Sequence, residues 1–134
     1  MTLQVELVVP DGEVWSGNAR MVIAKTLDGD IGILGSHPSV LGILVEGSVV
    51  EIRDPEDGAG AQDSIVRAAV MDGFLSVHDD RVSILAREAE LGTQVDRASV
   101  QSELDAALNE AADNEESAEV KYSRARLRAA GDGS

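Results

Sequence analysis

Asp72-Gly73-Phe74-Leu75-Ser76-Val77-His78-Asp79-Asp80-Arg81-Val82-Ser83-Ile84-Leu85-Ala86 is the stretch that decides the fold. Phe74 to His78 and Val82 to Ala86 alternate apolar with polar residues, the period of a half-buried strand. Asp72-Gly73 and Asp79-Asp80 are turn residues that bound them. Moving toward the N-terminus, the same grammar repeats. Val49 to Arg53 and Ile65 to Val70 read as strands, Leu3, Val5, Leu7 and Val9 share one strand face, and Met21 and Ile23 share another. Pro10-Asp11-Gly12, Asp28-Gly29-Asp30 and Glu46-Gly47 separate them as turns. Many short strands at this spacing predict an antiparallel sandwich or flattened barrel. The acidic, glycine-bearing stretch 54–63 lacks periodicity and reads as a long hairpin loop.

Toward the C-terminus the grammar changes. All three prolines and eleven of the thirteen glycines lie at or before Gly92, and none occurs from Thr93 to Ala130. Glycine and proline are costly inside helices, so their loss marks a helical segment. Val100, Leu104, Ala107, Leu108 and Ala111 form one helical stripe, and Ala118, Tyr122, Ala125 and Ala129 form a second. Asp96 is placed as an N-cap, with Val95 and Val100 as a hydrophobic staple. Asp113 to Ser117 carries no large apolar side chain and reads as the bend; Gly131 to Ser134 reads as a fraying tail. The chain is therefore expected to be α+β and mainly β: an N-terminal antiparallel β-sandwich over residues 1–91, then an antiparallel two-helix hairpin over 92–134.

Charge is sorted along the hairpin. Glu103 to Glu119 holds seven acids and no base, whereas Lys121 to Arg128 holds four bases and no acid. Exposed pairs contribute at most about 1 kcal/mol each, so this attraction is soft. Val100, Leu104 and Leu108, at roughly 1.5–3 kcal/mol apiece, do not offset ordering so long a segment at about 1–2 kcal/mol per residue. The hairpin must lean on the β-domain or on a partner.

The formal charge of the 134-residue chain is −14, and only Trp15, Phe74 and Tyr122 are aromatic. Such a surface repels phosphate backbones and anionic head groups, which excludes nucleic-acid binding and direct lipid binding. With no cysteine, thiolate chemistry, disulfides and Cys-based zinc sites are excluded as well. The start of the chain has no signal-peptide pattern, and the longest apolar run, Val40 to Val45, is too short to cross a bilayer. No catalytic constellation emerges. His37 and His78 lack companions at metal-ligand spacing, Ser16 and Ser36 lack a base, and Asp28-Gly29-Asp30 lacks the later ligands of a calcium loop. Gly29, Gly32 and Gly35 are not followed by the Gly-Lys-Ser/Thr of a phosphate cradle. Neither an enzyme nor a metal or resident cofactor is expected.

Several segments together carry a resemblance. Trp15-Ser16-Gly17 after the first strand, Gly29-Asp30-Ile31-Gly32-Ile33-Leu34-Gly35-Ser36-His37, the two strands quoted first, and Arg124-Ala125-Arg126-Leu127-Arg128-Ala129 are similar to the ATP synthase epsilon family, called delta in mitochondria. Gly35 replaces a proline of the family's glycine-rich loop, and Pro38 follows one position early. The resemblance implies a non-catalytic rotor subunit of the F-type ATP synthase, peripheral on the cytoplasmic side of the cell membrane and monomeric when isolated. It implies a sandwich that packs on the gamma subunit and touches the membrane c-ring through Asp30, Gly32, Ile33, Leu34, Ser36, His37 and Pro38. It further implies a regulatory hairpin that restrains ATP hydrolysis at the alpha/beta catalytic head, with Asp96, Arg124, Arg126 and Arg128 as its polar contacts. Some members bind ATP there; Asp96, Arg124 and Arg128 are the matching residues, although Ser99 stands where the motif has arginine. The contrasting expectation is an autonomous ligand-binding or adaptor β-sandwich with a helical oligomerisation arm.

Overall fold

The computed structural model describes residues 2–55, 65–110 and 117–131. Most of the loop expected over 54–63, most of the bend over 113–117 and the end of the tail lie outside the described residues. Ten strands precede the helices: β1 Leu3–Val9, β2 Gly12–Ala19, β3 Met21–Thr26, β4 Gly29–Leu34, β5 Val40–Ile43, β6 Ser48–Arg53, β7 Ile65–Val70, β8 Gly73–His78, β9 Arg81–Ala86 and β10 Ala89–Leu91. A 3-10 turn, Gly92–Gln94, leads into α1 (Arg97–Glu110) and then α2 (Ala118–Ala129).

The strands form two five-stranded sheets, ordered β2-β1-β9-β8-β5 and β10-β7-β6-β3-β4. Between them lies an aliphatic core. Leu3, Val5 and Leu7 of β1, Leu75 and Val77 of β8, and Val82 and Ile84 of β9 meet Val22, Ile33, Val50, Ile52, Ala68 and Val70 from the second sheet. With no aromatic ring among its fully buried residues, complementarity rests on branched side chains packed in alternation. Among the described residues every ladder is antiparallel but one: β1 runs parallel to β9, with Val5 opposite Val82 and Leu7 opposite Ile84.

Two details differ from the sequence reading, and a third completes it. Gly29 to Leu34 is a strand, the edge strand of the second sheet, in full register with β3, and the loop begins only after it. A Cβ on Gly32 would lie 3.0 Å from Met21 Cε on the neighbouring strand, so the bare backbone leaves room for the methionine to lie across it. Trp15-Ser16-Gly17 likewise lies within β2, where Trp15 folds over Gly17 and packs against the edge of the core. Met21 and Ile23 do share a face, but it is the outer one, and Val22 and Ala24 supply the core.

The hairpin docks on the outside of the second sheet. Ala125 and Ala129 of α2 lie on Ala69 of β7, flanked by Val49 and Tyr122. A separate cluster of Val120 and Leu127 with Val100, Leu104 and Ala107 joins α2 to α1. The alanine stripe read from the sequence is thus the face toward the sheet, and Val120 and Leu127 make a second face toward α1. Asp96 caps α1, its Oδ1 accepting from Ser99 N at 3.2 Å, and Val95 packs beside Val100. Ser117 caps α2 by accepting from Val120 N at 3.3 Å.

At the start of β8, a Cβ on Gly73 would lie 2.7 Å from Ala86 Cα of the paired strand β9. Gly73→Val is therefore expected to lower stability by about 2 kcal/mol or more through forced separation of β8 from β9. Urea denaturation of the purified chain measures this, and an unchanged midpoint would contradict the packing.

Candidate functional site

Two surfaces and one internal interface stand out. On the outer face of the first sheet, a cross-strand row of apolar side chains faces solvent. Ile43 is opposite Phe74, Phe74 opposite Leu85, and Leu85 opposite Val8. Leu41, two residues from Ile43 on the same face, is 72% exposed, and Ile43, Phe74 and Leu85 are 61%, 43% and 39% exposed. Leu27 joins the row's end, its N–H donating to the Ile43 carbonyl at 2.9 Å. Soluble monomers seldom leave such a contiguous row open, and surfaces of this kind mark contact with another protein. No residue of this row was singled out from the sequence. The available signal was the Val40 to Val45 run, which is apolar on both strand faces although only one face has a core to fill.

The second surface carries the family-matched residues of β4 and the turn after it. Asp30, Gly32 and Leu34 point outward along this edge strand, with Asp30 opposite Lys25 of β3. Ile33 is wholly buried in the core, so it supports the strand and cannot itself touch a partner. Ser36, His37 and Pro38 lie beyond the end of β4, where Ser36 has positive φ and the His37 N–H donates back to the Leu34 carbonyl at 3.2 Å, closing a turn. There the Ser36 N–H donates to Asp80 Oδ1 at 2.6 Å, and His37 Nδ1 lies 2.7 Å from the Pro38 carbonyl. The expected contact set is therefore split between a strand face and an end turn. Asp79 and Asp80 both have positive φ and form the two-residue turn between β8 and β9.

The interface holds the hairpin to the sandwich. Arg126 is its centre: Nε donates to Glu90 Oε1 of β10 at 2.8 Å, and Nη1 to Glu103 Oε2 of α1 at 2.6 Å. Its guanidinium also lies 5.4 Å from the Tyr122 ring centre. One side chain, 17% exposed, thereby ties strand, first helix and second helix together. Burial works against its charge, yet the bonds to Glu90 and Glu103 outweigh that and raise its pKa. Lys121 reaches Glu46 at 3.8 Å, Arg128 Nη2 donates to the Gly47 carbonyl at 3.1 Å, and Arg97 donates to the Ala130 carbonyl. The bases of α2 thus serve the sandwich as well as the acids of α1. Arg124 is exposed. Among the described residues, no hydrogen bond or ion pair joins Asp96 to Arg124 or Arg128. No three His, Asp or Glu side chains among them are grouped as a metal site, and no helix is long and apolar enough to cross a membrane.

Residues 2–92 match the family model described as ATP synthase, Delta/Epsilon chain, beta-sandwich domain. The ATP synthase epsilon chain of Thermobifida fusca is 49% identical over 131 residues, covering 96% of this chain and 91% of that one. That of Mycobacterium avium is 37% identical over 130 residues, covering 96% and 95%. Among solved structures, a chain of the Euglena gracilis mitochondrial ATP synthase OSCP/F1/c-ring assembly matches with a TM-score of 0.66. It is 18% identical, and the match covers 94% of this chain and 75% of that one. A chain of the Tetrahymena thermophila central stalk/c-ring assembly matches with a TM-score of 0.55 at 21% identity, covering 76% and 72%. Both likenesses are of fold.

Burial in the docked hairpin pushes the Tyr122 phenol up to about 12, against a little help from Arg126 and with Glu90, Glu88 and Glu103 adding to the rise. A raised pKa means that folding favours the neutral phenol. Its contribution to docking is complete below the ordinary value of 10.0 and is lost as pH rises toward about 12. Tyr122 is the sole tyrosine, so ultraviolet absorbance of its phenolate reports directly on this site. Half-ionisation near the ordinary value in the folded chain would show that the ring is not held in the interface.

Proposed function

We propose a rotor role for this chain on the premise that it belongs to the ATP synthase delta/epsilon family. The chain is a non-catalytic subunit of the F-type ATP synthase, and its place is the central stalk. The observation that carries the reading is the apolar row Ile43, Phe74, Leu85 on an otherwise acidic, self-contained sandwich. Burying such side chains contributes about 1.5–3 kcal/mol each, enough for a tight seat on one partner. We assign that partner as the gamma subunit. Asp30, Gly32 and Leu34, along the open edge strand, are assigned to the polar loops of the c-ring. Ser36, His37 and Pro38 join that contact only if it runs the full length of the edge. The subunit then sits peripherally at the membrane through its partners, on the cytoplasmic side.

The hairpin supplies regulation. Its seat on the sandwich is made of alanine, glycine and a few ion pairs, an interface weak enough for docked and undocked states to lie within a few kcal/mol. Released, it is free to reach the alpha/beta head and restrain ATP hydrolysis. The autonomous-sandwich reading gains nothing from the fold, because the apolar row is a seat for another chain and not a pocket.

Two measurements test this. Phe74→Glu should weaken co-purification with gamma at least tenfold, a loss of about 1.4 kcal/mol, while leaving the isolated chain folded. Retention at wild-type levels would remove the first sheet as the gamma seat. Truncation after Leu91 should raise ATP hydrolysis by the assembled complex, and an unchanged rate would mean that this hairpin is not the brake.

A further inference from the structure

Between α2 and the outward face of the inner strands β3 and β6 runs a groove of about 380 Å³. Its floor is apolar, from Ile23 and Val49, and its walls are cationic. Lys25, Arg53 and Arg67 come from the sheet and Arg128 from the helix. The chain holds only 11 lysines and arginines against a formal charge of −14, so four cations in one groove is a strong local inversion. Two carboxylates line it. Glu51 is shared, with Arg53 Nη2 at 2.9 Å and Arg67 Nε at 3.4 Å, and Asp30 faces Lys25 across the ladder. A positive excess remains. Arg124, one helical turn before Arg128, extends the helix's cationic side into solvent.

We propose that this groove is a docking site for an acidic segment of a partner polypeptide, one in which carboxylates alternate with aliphatic side chains. An aliphatic strip between two cationic walls matches such a segment in both charge and apolar character. A free inorganic polyanion would gain nothing from Ile23 and Val49. A nucleoside would find no ring to stack on, because none of the three aromatic residues lines the groove. The overall field of the chain repels acidic peptides, so binding here must come from local contacts.

One wall belongs to α2, and the groove is complete only while the hairpin is docked. A segment seated in it binds the docked form better and shifts the hairpin toward that form by this difference in affinity. The site stands apart from the gamma seat on the opposite sheet, and its binding is measured on the isolated chain.

The test is fluorescence anisotropy of a labelled peptide of alternating glutamate and leucine, titrated with the full-length chain. Binding that weakens with added salt is expected, and about a fivefold to tenfold loss with Lys25→Gln and with Arg128→Gln. Arg128→Gln also removes the bond to Gly47 and can loosen the helix, so Lys25→Gln is the deciding variant. Arg81→Gln, on the outer face of the other sheet, should leave binding unchanged. The proposal is overturned by absence of binding, or by an equal loss with Arg81→Gln. It is also overturned if tripolyphosphate displaces the peptide and binds with the same residue dependence, which would make this a free-anion site.

Discussion

A helix can lie on this sandwich only because the contact line between them is almost free of side chains. Ala125 and Ala129 rest on Ala69, and the two ends of the seat are glycines. A Cβ on Gly92 would come 2.7 Å from the Ala129 carbonyl carbon, and one on Gly47 would come 2.6 Å from the Lys121 backbone. Close approach of backbone to backbone brings Arg126 within reach of Glu90 and Glu103 together, and it brings Arg128 to the Gly47 carbonyl. The polar ties are consequences of that closeness. They confer direction on the docking, whereas the small residues permit it.

Such a seat buries little apolar area, and this separates the two halves of the chain energetically. The sandwich is held by a dozen or so fully buried aliphatic side chains of its own. The hairpin has its own thin cluster of Val100, Leu104, Val120 and Leu127 and needs the sandwich to stay folded against. Arg126, with two carboxylates drawn around one guanidinium, gives a conditional bond: strong where water is excluded, and weak once the helix lifts. An element that is folded but loosely owned is suited to respond to a neighbour.

The class of the fold was legible because period-two alternation in β8 and β9 and the loss of glycine after Gly92 both leave a local trace in the chain. Asp96 and its staple partner Val95 were legible for the same local reason. Other features depend on pairings that leave no local trace. Glycines in β4 look like loop residues until Met21 is found lying across Gly32. Which face of β3 is inward is settled by the sheet opposite, so Met21 and Ile23 gave the period but not the side. Among the family-matched residues, Asp30, Gly32 and Leu34 share an exposed face, whereas Ile33 belongs to the core by the same alternation. The Ile43, Phe74, Leu85 row escaped notice because it is assembled across three strands. The Arg126 ties were half visible: sorted charge pointed to Glu103, and nothing in the hairpin pointed to Glu90.

The single parallel ladder bears on how the molecule is made. β1 is made before the other strands, yet one of its two neighbours is β9, and Ser83 bonds to Glu6 across 77 residues of chain. Until that late strand emerges, β1 has only β2 beside it within its sheet. Long-range closure of this kind slows folding and leaves nascent chains open to wrong pairing. Completion of the first sheet therefore comes near the end of synthesis of the β-domain. The helices, translated after the strands, arrive once the second sheet they dock on has been built.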